Sequence, residues 1–354
     1  ASGKPVINLG VGSPDMQPPQ KVITALTESL SDVRAHNYQS YHGWPEFREA
    51  ITAFYKDQFQ VHLSPMTEVL PLLGSKEGIM HISMAFLNEG DSVLIPNPGY
   101  PVYGSVTKLL GANPVYYNLS EANNWFPDLK ELRKHDLSKV KIMWINYPHM
   151  PTGAKGTEKL FEDLVGFATE HNILIINDNP YSFILNEEPK SILSIHKAKD
   201  VCLELNSLSK TFNMAGWRVG MVLGNSKYID SILKVKSNID SGMFYGIQKG
   251  AIEALNCSKL WYVSLNSVYE QRRELVWKLV EALNCTYEKD TAGLFVWAKL
   301  PPHFKSEEFT DMLLKEHHVF VAPGTIFGSQ GEGYVRFSLC ASNDDVEEAL
   351  ARVS

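Results

Sequence analysis

Two short runs decide the fold: Lys141-Ile-Met-Trp-Ile-Asn146 and Ile173-Leu-Ile-Ile-Asn-Asp178. Each is almost continuously apolar, the pattern of a strand buried on both faces. Between them lie a Pro- and Gly-bearing turn, Asn146-Tyr-Pro-His-Met-Pro-Thr-Gly153, and a helical pattern over residues 157–171. A strand, a helix and a second strand make a parallel βαβ unit. The alternation continues outward. Upstream, residues 45–59 put Phe47, Ala50, Ile51, Phe54 and Tyr55 at helical spacing, residues 77–87 read as another helix, and residues 92–95 as a buried strand closed by Pro96. Downstream, residues 201–205 and 219–223 read as strands. The fold expected is α/β, with a mostly parallel sheet covered by helices on both faces.

From about residue 247 the character changes. A long helical pattern runs to residue 282, followed by a strand at 294–298, a helix at 306–317, a strand at 334–338 and a terminal helix from Asn343. This reads as a smaller α+β domain. No repeat or flexible linker intervenes, so the boundary falls near residues 240–250.

Composition removes several classes of function. With 354 residues, 44% of them hydrophobic, the chain can fill about two domains of ~100–200 residues. Charged residues at 21% and aromatics at 11% oppose disorder. The 33 basic and 40 acidic residues give a net charge of −7 without any basic run, so nucleic acid is not an expected partner. No apolar stretch reaches the ~18 residues of a membrane span, and Ala1-Ser2-Gly3-Lys4-Pro5 does not read as a secretory signal. Cys202, Cys257, Cys285 and Cys340 are scattered with no CxxC, as reduced thiols of a cytoplasmic protein are. His317-His318 and the other histidines lack ligand spacing, so no metal is expected.

The sharpest chemical signal is Ser207-Leu-Ser209-Lys210-Thr211-Phe212, continuing to Gly216-Trp217-Arg218-Val219-Gly220. A Lys between two strands suits a Schiff-base amine, because burial lowers its pKa and makes it first a nucleophile and then a base. Arg218 suits a bidentate phosphate partner. An exposed Lys and Arg on a loop fit the same letters. Ser207-x-x-Lys210 also matches the SxxK of serine acyl-transfer enzymes, but Phe212 breaks the accompanying KTG and no SDN exists. Gly74-Ser75-Lys76-Glu77-Gly78 precedes a helix; its free N–H groups can hold phosphate or merely form a capping turn. Its spacing is not that of a Walker motif. Gly10-Val11-Gly12 is no dinucleotide fingerprint, since Pro14 and Asp15 follow. Asp178 ends its strand, where ligands of open α/β sheets gather, although an Asp there can also be a simple helix cap.

In order along the chain stand LGVGSPD from Leu9, Tyr38-x4-Gly43, GSKEG, PNPGYPVY, NYPxxPTG, Asp178-x-x-Tyr181, SLSKTF-x4-GWRVG and YVRFS ending at Ser338. This series resembles the class I/II aminotransferases of fold type I, which use pyridoxal 5′-phosphate (PLP), and the resemblance runs from Leu9 to Ser338. It implies a ping-pong transfer of an amino group between an L-amino acid and a 2-oxo acid, with a β-eliminating C–S lyase of the same fold as the alternative. It implies a division into an N-terminal segment 1–37 packed with the small domain, a large PLP-binding domain 38–245 and a small domain 246–354. Lys210 matches the Schiff-base Lys, Asp178 the carboxylate on the pyridine nitrogen, and Tyr181 the phenol on the cofactor O3′. Tyr100 matches the aromatic stacked on the ring. Ser75, Lys76, Ser207 and Arg218 match the phosphate cradle, and Tyr38 a residue that reaches the partner subunit's phosphate in a homodimer. Arg336, with Gly12 beside it, matches the clamp on the substrate α-carboxylate.

One position departs from the family. The Asn of the usual Asn-Pro-Thr-Gly, a donor to O3′, is here Met150, preceded by His149. A thioether donates no hydrogen bond. Dicarboxylate-specific relatives often carry a second Arg in the segment that corresponds to residues 237–248, and here it has none. Met243, Phe244 and Tyr245 lie there instead and favour a neutral, aromatic or extended amino acid as substrate.

Overall fold

A computed structural model describes residues 5–353; the opening Ala1-Ser2-Gly3-Lys4, read above as no secretory signal, lies outside the described residues. Seven strands form the central sheet: β1 (Val69–Leu72), β2 (Ser92–Asn97), β3 (Asn113–Asn118), β4 (Val140–Ile145), β5 (Leu174–Asp178), β6 (Cys202–Ser207) and β7 (Gly220–Gly224). Their spatial order is β1-β7-β6-β5-β4-β2-β3. The pairs from β6 to β3 are parallel, and β7 runs antiparallel to both β6 and β1.

The helices of seven or more residues are α1 (Gln20–Ser29), α2 (Pro45–Phe59), α3 (Ser75–Phe86), α4 (Pro101–Leu109), α5 (Glu158–His171), α6 (Ser226–Lys236), α7 (Tyr245–Leu255), α8 (Lys259–Ala282), α9 (Ser306–Met312) and α10 (Asn343–Val353). Strand side chains alternate between the two faces of the sheet, and helices bury both sets. Ile142, Trp144, Leu174 and Ile176 pack with Ile79 and Ile82 of α3, Tyr103 of α4 and Ile229 of α6. Met143, Ile145 and Ile175 point the other way, to Ile51 of α2, Leu164 of α5 and Ala251 of α7. Thr157 caps α5 by accepting a hydrogen bond from the Leu160 N–H at 3.1 Å, which fixes where the crossover helix starts.

The second sheet is antiparallel: β8 (Thr286–Tyr287), β9 (Phe295–Lys299), β10 (Ala322–Pro323) and β11 (Tyr334–Ser338), in the order β10-β11-β9-β8. Its core joins Val296, Phe337, Leu279 of α8 and Val346 of α10. The N-terminal segment enters the same core through Ile7 and Leu9, and Ile7–Asn8 pairs in parallel with Val319–Phe320. Among the described residues no helix is long and apolar enough to cross a membrane.

Several elements differ from the sequence reading. The strand expected to close at Pro96 runs on to Asn97, because β2 loses its β4 neighbour after Leu94 and Pro96 pairs only with Tyr117 of β3. A missing N–H costs no ladder bond on an open side. Strands β1 and β3 went unread: Pro71 interrupts one, and the other is an edge strand with most of its residues exposed. The long helical pattern is two helices, α7 and α8, parted at Asn256-Cys257-Ser258, and the helix expected over 306–317 passes into a π-helical turn at Leu313–His317.

One ion pair ties the N-terminal segment to the second core. Arg272 of α8 is buried and donates through both Nη1 and Nη2 to the Asp15 carboxylate, each at 2.7 Å, while Nη1 also reaches the Leu339 carbonyl at 3.1 Å. Truncating one partner of a buried, hydrogen-bonded pair costs ~2–5 kcal/mol. Asp15 is partly exposed, so Asp15→Ala is expected to lower stability by about 2 kcal/mol, read as a lower urea midpoint at unchanged m-value. Because Gly12 rides on the same segment, the variant should also show a raised KM for amino acid.

Candidate active site

The carboxyl ends of β2, β4, β5 and β6 open onto one cavity of about 520 Å³, within the ~300–1,000 Å³ of small-molecule sites. Topology dictates this placement, since loops at the carboxyl ends of parallel strands converge there. The lining brings together Gly12, Ser75, Lys76, Tyr100, Asp178, Tyr181, Ser207, Lys210, Arg218 and Arg336, every site residue expected from sequence except Tyr38. Tyr38 stands on the surface, 91% exposed, and takes no part in its own chain's cavity.

One end of the cavity is built for an anion. Gly74, at φ 96°, turns the chain from β1 into α3, and a Cβ there would come within 2.9 Å of the Arg218 guanidinium carbon. Gly220 lets β7 pass under the start of α3, since a Cβ would stand 2.6 Å from the Ser75 nitrogen. The helix begins at Ser75, two residues earlier than the sequence pattern suggested, so its free N–H groups face the cavity beside Ser75 and Lys76. Ser207 caps the single turn Leu208–Thr211, accepting from the Ser209 N–H at 3.1 Å, and its hydroxyl meets that of Ser209 at 2.8 Å. Arg218 holds a left-handed φ of 57°, with Nη1 donating to the Ala215 carbonyl at 2.7 Å. For a non-glycine residue that conformation costs on the order of 1 kcal/mol or more and persists where surrounding structure imposes it.

Behind this end, Glu77, His81 and Asp240 bring donor atoms within 4.8 Å of one another, a set the histidine-spacing reading overlooked. The Lys236 ammonium lies 2.9 Å from Asp240 and already supplies the cation.

Asp178 forms the floor. Its Oδ2 accepts from the Tyr103 hydroxyl at 2.8 Å, Asn146 donates to its backbone carbonyl, and Oδ1 has no partner. Burial pushes the carboxyl up to about 7, against the hydrogen bond from Tyr103. Lys210 reaches in from the turn after β6, with Nζ donating to the Gly12 carbonyl at 2.6 Å. Burial lowers its pKa, and Arg336 and Arg218 add to the shift. The Tyr181 phenol is pushed up by burial and stays a donor.

The opposite end is a guanidinium clamp. Arg336 of β11 lies between the rings of Phe295, at 3.8 Å, and Phe327, at 4.6 Å. Its Nη2 donates to the Gly10 carbonyl at 2.7 Å, Nη1 meets the Met150 sulfur at 3.2 Å, and Nε has no partner. Burial pulls its pKa down to about 10, which leaves it charged at neutral pH. A planar fork gripped by two rings suits a carboxylate. Met150 faces the cavity, while His149 turns away to Thr152, its Nδ1 lying 2.8 Å from the Thr152 hydroxyl, and does not line the site. Sequence reasoning missed Tyr103, Ser209 and Phe295 as lining residues; a position three residues beyond Tyr100 on a helix was the only signal for Tyr103.

The fixed Lys amine, the partnerless oxygen of a buried carboxylate and the anion cradle fit PLP at its aldehyde, ring nitrogen and phosphate. Fold and cavity together define a PLP-dependent enzyme of fold type I. The chain belongs to the aminotransferase class I and II family, whose model matches residues 4–353. It is 42% identical over 353 residues to the LL-diaminopimelate aminotransferase of Aquifex aeolicus, covering 99% of this chain and 91% of that one. Among solved structures it is similar to substrate-bound BacF from Bacillus subtilis, with a TM-score of 0.95 and 38% identity over 98% of this chain and 89% of the other. An aromatic aminotransferase of Pyrococcus horikoshii superposes with a TM-score of 0.93 at 33% identity, over 100% and 95% of the two chains. The C–S lyase alternative finds no support among these relatives.

Two predictions follow from the site. A carboxyl raised from 3.8 to about 7 on folding stabilises the native state below pH ~4 and loses that contribution as the pH climbs through 7. At 1.36 kcal/mol per pH unit, cofactor-free protein should lose on the order of 3 kcal/mol between pH 5 and pH 8 through this group. Asp178→Asn should flatten that fall in urea titrations; equal slopes would locate the pH dependence elsewhere. Met150→Asn adds a donor where the thioether has none. A hydrogen bond to a charged oxygen contributes ~1.5–3 kcal/mol, so the visible absorbance of bound PLP should titrate about one pH unit lower or more. Coincident curves would mean that the side chain at 150 does not face that oxygen or that another donor already replaces the Asn.

Proposed function

We propose that the chain moves the α-amino group of an L-amino acid with an extended side chain to a 2-oxo acid, and that LL-diaminopimelate is its amino donor. The observation that carries this reading is the carboxylate clamp. Arg336 is buried, charged and held by two rings at one end of the cavity, and residues 237–248 supply no second Arg for a side-chain carboxylate. An amino acid whose far end is neutral overall fits such a site, and diaminopimelate carries a second amino acid group there. The name of the 42% identical relative supports the same choice.

In this reading Arg336 fixes the substrate α-carboxylate and thereby sets its Cα over Lys210. The Lys210 amine, with its pKa lowered by burial, takes the Cα proton as a base and delivers it as an acid. Ser75, Lys76, Ser207 and Arg218 would hold the phosphate, and Tyr100 would cover the ring. Asp178 would keep a proton on the ring nitrogen, and Tyr181 would donate to the phenolic oxygen. PLP, when bound, supplies the electron sink for the Cα carbanion.

The same reading makes the protein a cytoplasmic homodimer whose partners are the two small-molecule acids, with neither nucleic acid nor membrane. Tyr38, exposed on its own chain, would meet the partner's phosphate, and the four free cysteines suit a reducing compartment. We place the large domain at 38–245 and the small one at 246–354, with 1–37 packed beside the latter through Ile7 and Leu9; α7, at the start of the second domain, also enters the large core through Ala251, as α1 does through Val22.

Single amino acids added to the PLP-loaded protein test the specificity, with the loss of cofactor absorbance as the readout. LL-diaminopimelate should react fastest, aspartate at least tenfold more slowly, and the Lys210→Ala protein not at all. Faster conversion of aspartate than of any extended or aromatic amino acid would overturn the assignment.

A further inference from the structure

We infer that Tyr103 is a positioning residue for the reaction: its hydroxyl, donating to Asp178 Oδ2, fixes the carboxylate and leaves the buried Oδ1 as the oxygen free to take a ligand's hydrogen bond. The inference rests on the reading of Asp178 as the ring-nitrogen partner.

The geometry leaves this hydroxyl little freedom. Tyr103 is 1% exposed, one turn along α4 from Tyr100. Its ring lies flat on Trp144 of β4, with centroids 4.9 Å apart and planes 4° from parallel, and meets Tyr100 edge-on at 5.6 Å. Gripped on two sides, the phenol ends 2.8 Å from Asp178 Oδ2. Burial drives the Tyr103 phenol well above its ordinary range, so it stays a proton donor. A buried carboxylate with one fixed donor on one oxygen has its other oxygen oriented as well, and Oδ1 is the atom without a partner in the protein.

The remaining groups around Asp178 do not do this work. Tyr100 and Tyr181 are near enough to feel its charge but make no hydrogen bond with it, and Lys210 and Arg218 line the same cavity as cations. Among the described residues, Tyr103 gives the one side-chain hydrogen bond that the Asp178 carboxylate receives. A hydrogen bond to the charged form lowers a carboxyl pKa, so its removal should leave Asp178 protonated at neutral pH, without charge for a cationic ring nitrogen.

Tyr103→Phe keeps the ring on Trp144 and deletes the bond alone. Pyridoxamine 5′-phosphate, which forms no covalent link to Lys210, reads the contact by equilibrium dialysis from pH 5 to pH 9. The variant should bind at least tenfold more weakly at pH 7, about 1.4 kcal/mol. The acid limb of its binding curve should lie about one unit higher. In turnover, kcat should fall while KM for the amino acid changes little. Tyr55→Phe is the control, because Tyr55 is equally buried and donates at 2.9 Å to Glu204, a carboxylate on the opposite face of the sheet. It should lower stability and leave the binding curve in place. If the Tyr103→Phe curve superimposes on the unmodified protein's while Asp178→Asn binds poorly, or if Tyr55→Phe shifts the curve equally, the positioning role is refuted. If Asp178→Asn also binds normally, the ring-nitrogen assignment itself fails.

Discussion

The fold turns on one costly object, a carboxylate sealed at the end of the middle strand of a seven-stranded sheet. Asp178 closes β5, with three strands on either side. A charge in that place is disfavoured by its apolar surroundings and is sustained only by groups brought to it. The neighbouring elements supply them. From β4, Asn146 fixes the Asp178 backbone carbonyl, and Trp144 is the plate on which Tyr103 rests. From β6 the chain turns directly into the Lys210 turn, and β7 brings Arg218 to the mouth of the cavity. Helix α4 delivers Tyr103 from above. A shift of one residue in any of these strands would exchange its two faces and withdraw its contribution.

Much of this was legible before any coordinates. The runs ending at Asn146 and Asp178 are buried on both faces, so they lack polar interruptions, and such strands announce themselves. Strands β1 and β3 do not. One contains Pro71 and the other is a partly exposed edge, and pairing with neighbours made them strands. The site residues lie in short motifs at strand ends, and the order of those motifs pointed to the set that, Tyr38 apart, meets in one cavity. Contacts between motifs were not legible. Tyr103 and Asp178 are 75 residues apart, and no local pattern links a tyrosine on a helix to a particular carboxylate. Met150 was visible as a departure from its motif, but its partner Arg336 lies 186 residues away and appears only once the second sheet has folded against the first.

The departure at Met150 changes the character of the clamp. Arg336 gains a polarizable sulfur at 3.2 Å in place of an amide, which accepts weakly and donates nothing. The guanidinium is therefore oriented mostly by the Gly10 carbonyl and by the faces of Phe295 and Phe327. Gly10 belongs to the segment that Asp15 ties to Arg272. The orientation of Arg336, the proposed substrate clamp, thus depends on how the N-terminal segment is anchored, and in that proposal Asp15, far from the chemistry, acquires influence over carboxylate binding.

Charge explains why the cavity needs its ligands. The chain as a whole carries −7, yet the cavity lining holds four cationic side chains, Lys76, Lys210, Arg218 and Arg336, against the single carboxylate of Asp178. Like charges in a shared, partly dry space depress one another, which is why Arg336 contributes to the lowered pKa of Lys210. A phosphate of roughly −1.5 to −2 at one end and a substrate carboxylate at the other bring the lining close to balance. In the proposed site the phosphate would lie beside Arg218 and Lys76, and the carboxylate beside Arg336. Neither anion of the proposed site is paired with Lys210, whose Nζ donates instead to the Gly12 carbonyl. In the proposed mechanism Lys210 is also the amine that must shed its proton, and burial, with Arg336 and Arg218 adding to it, lowers its pKa in that direction.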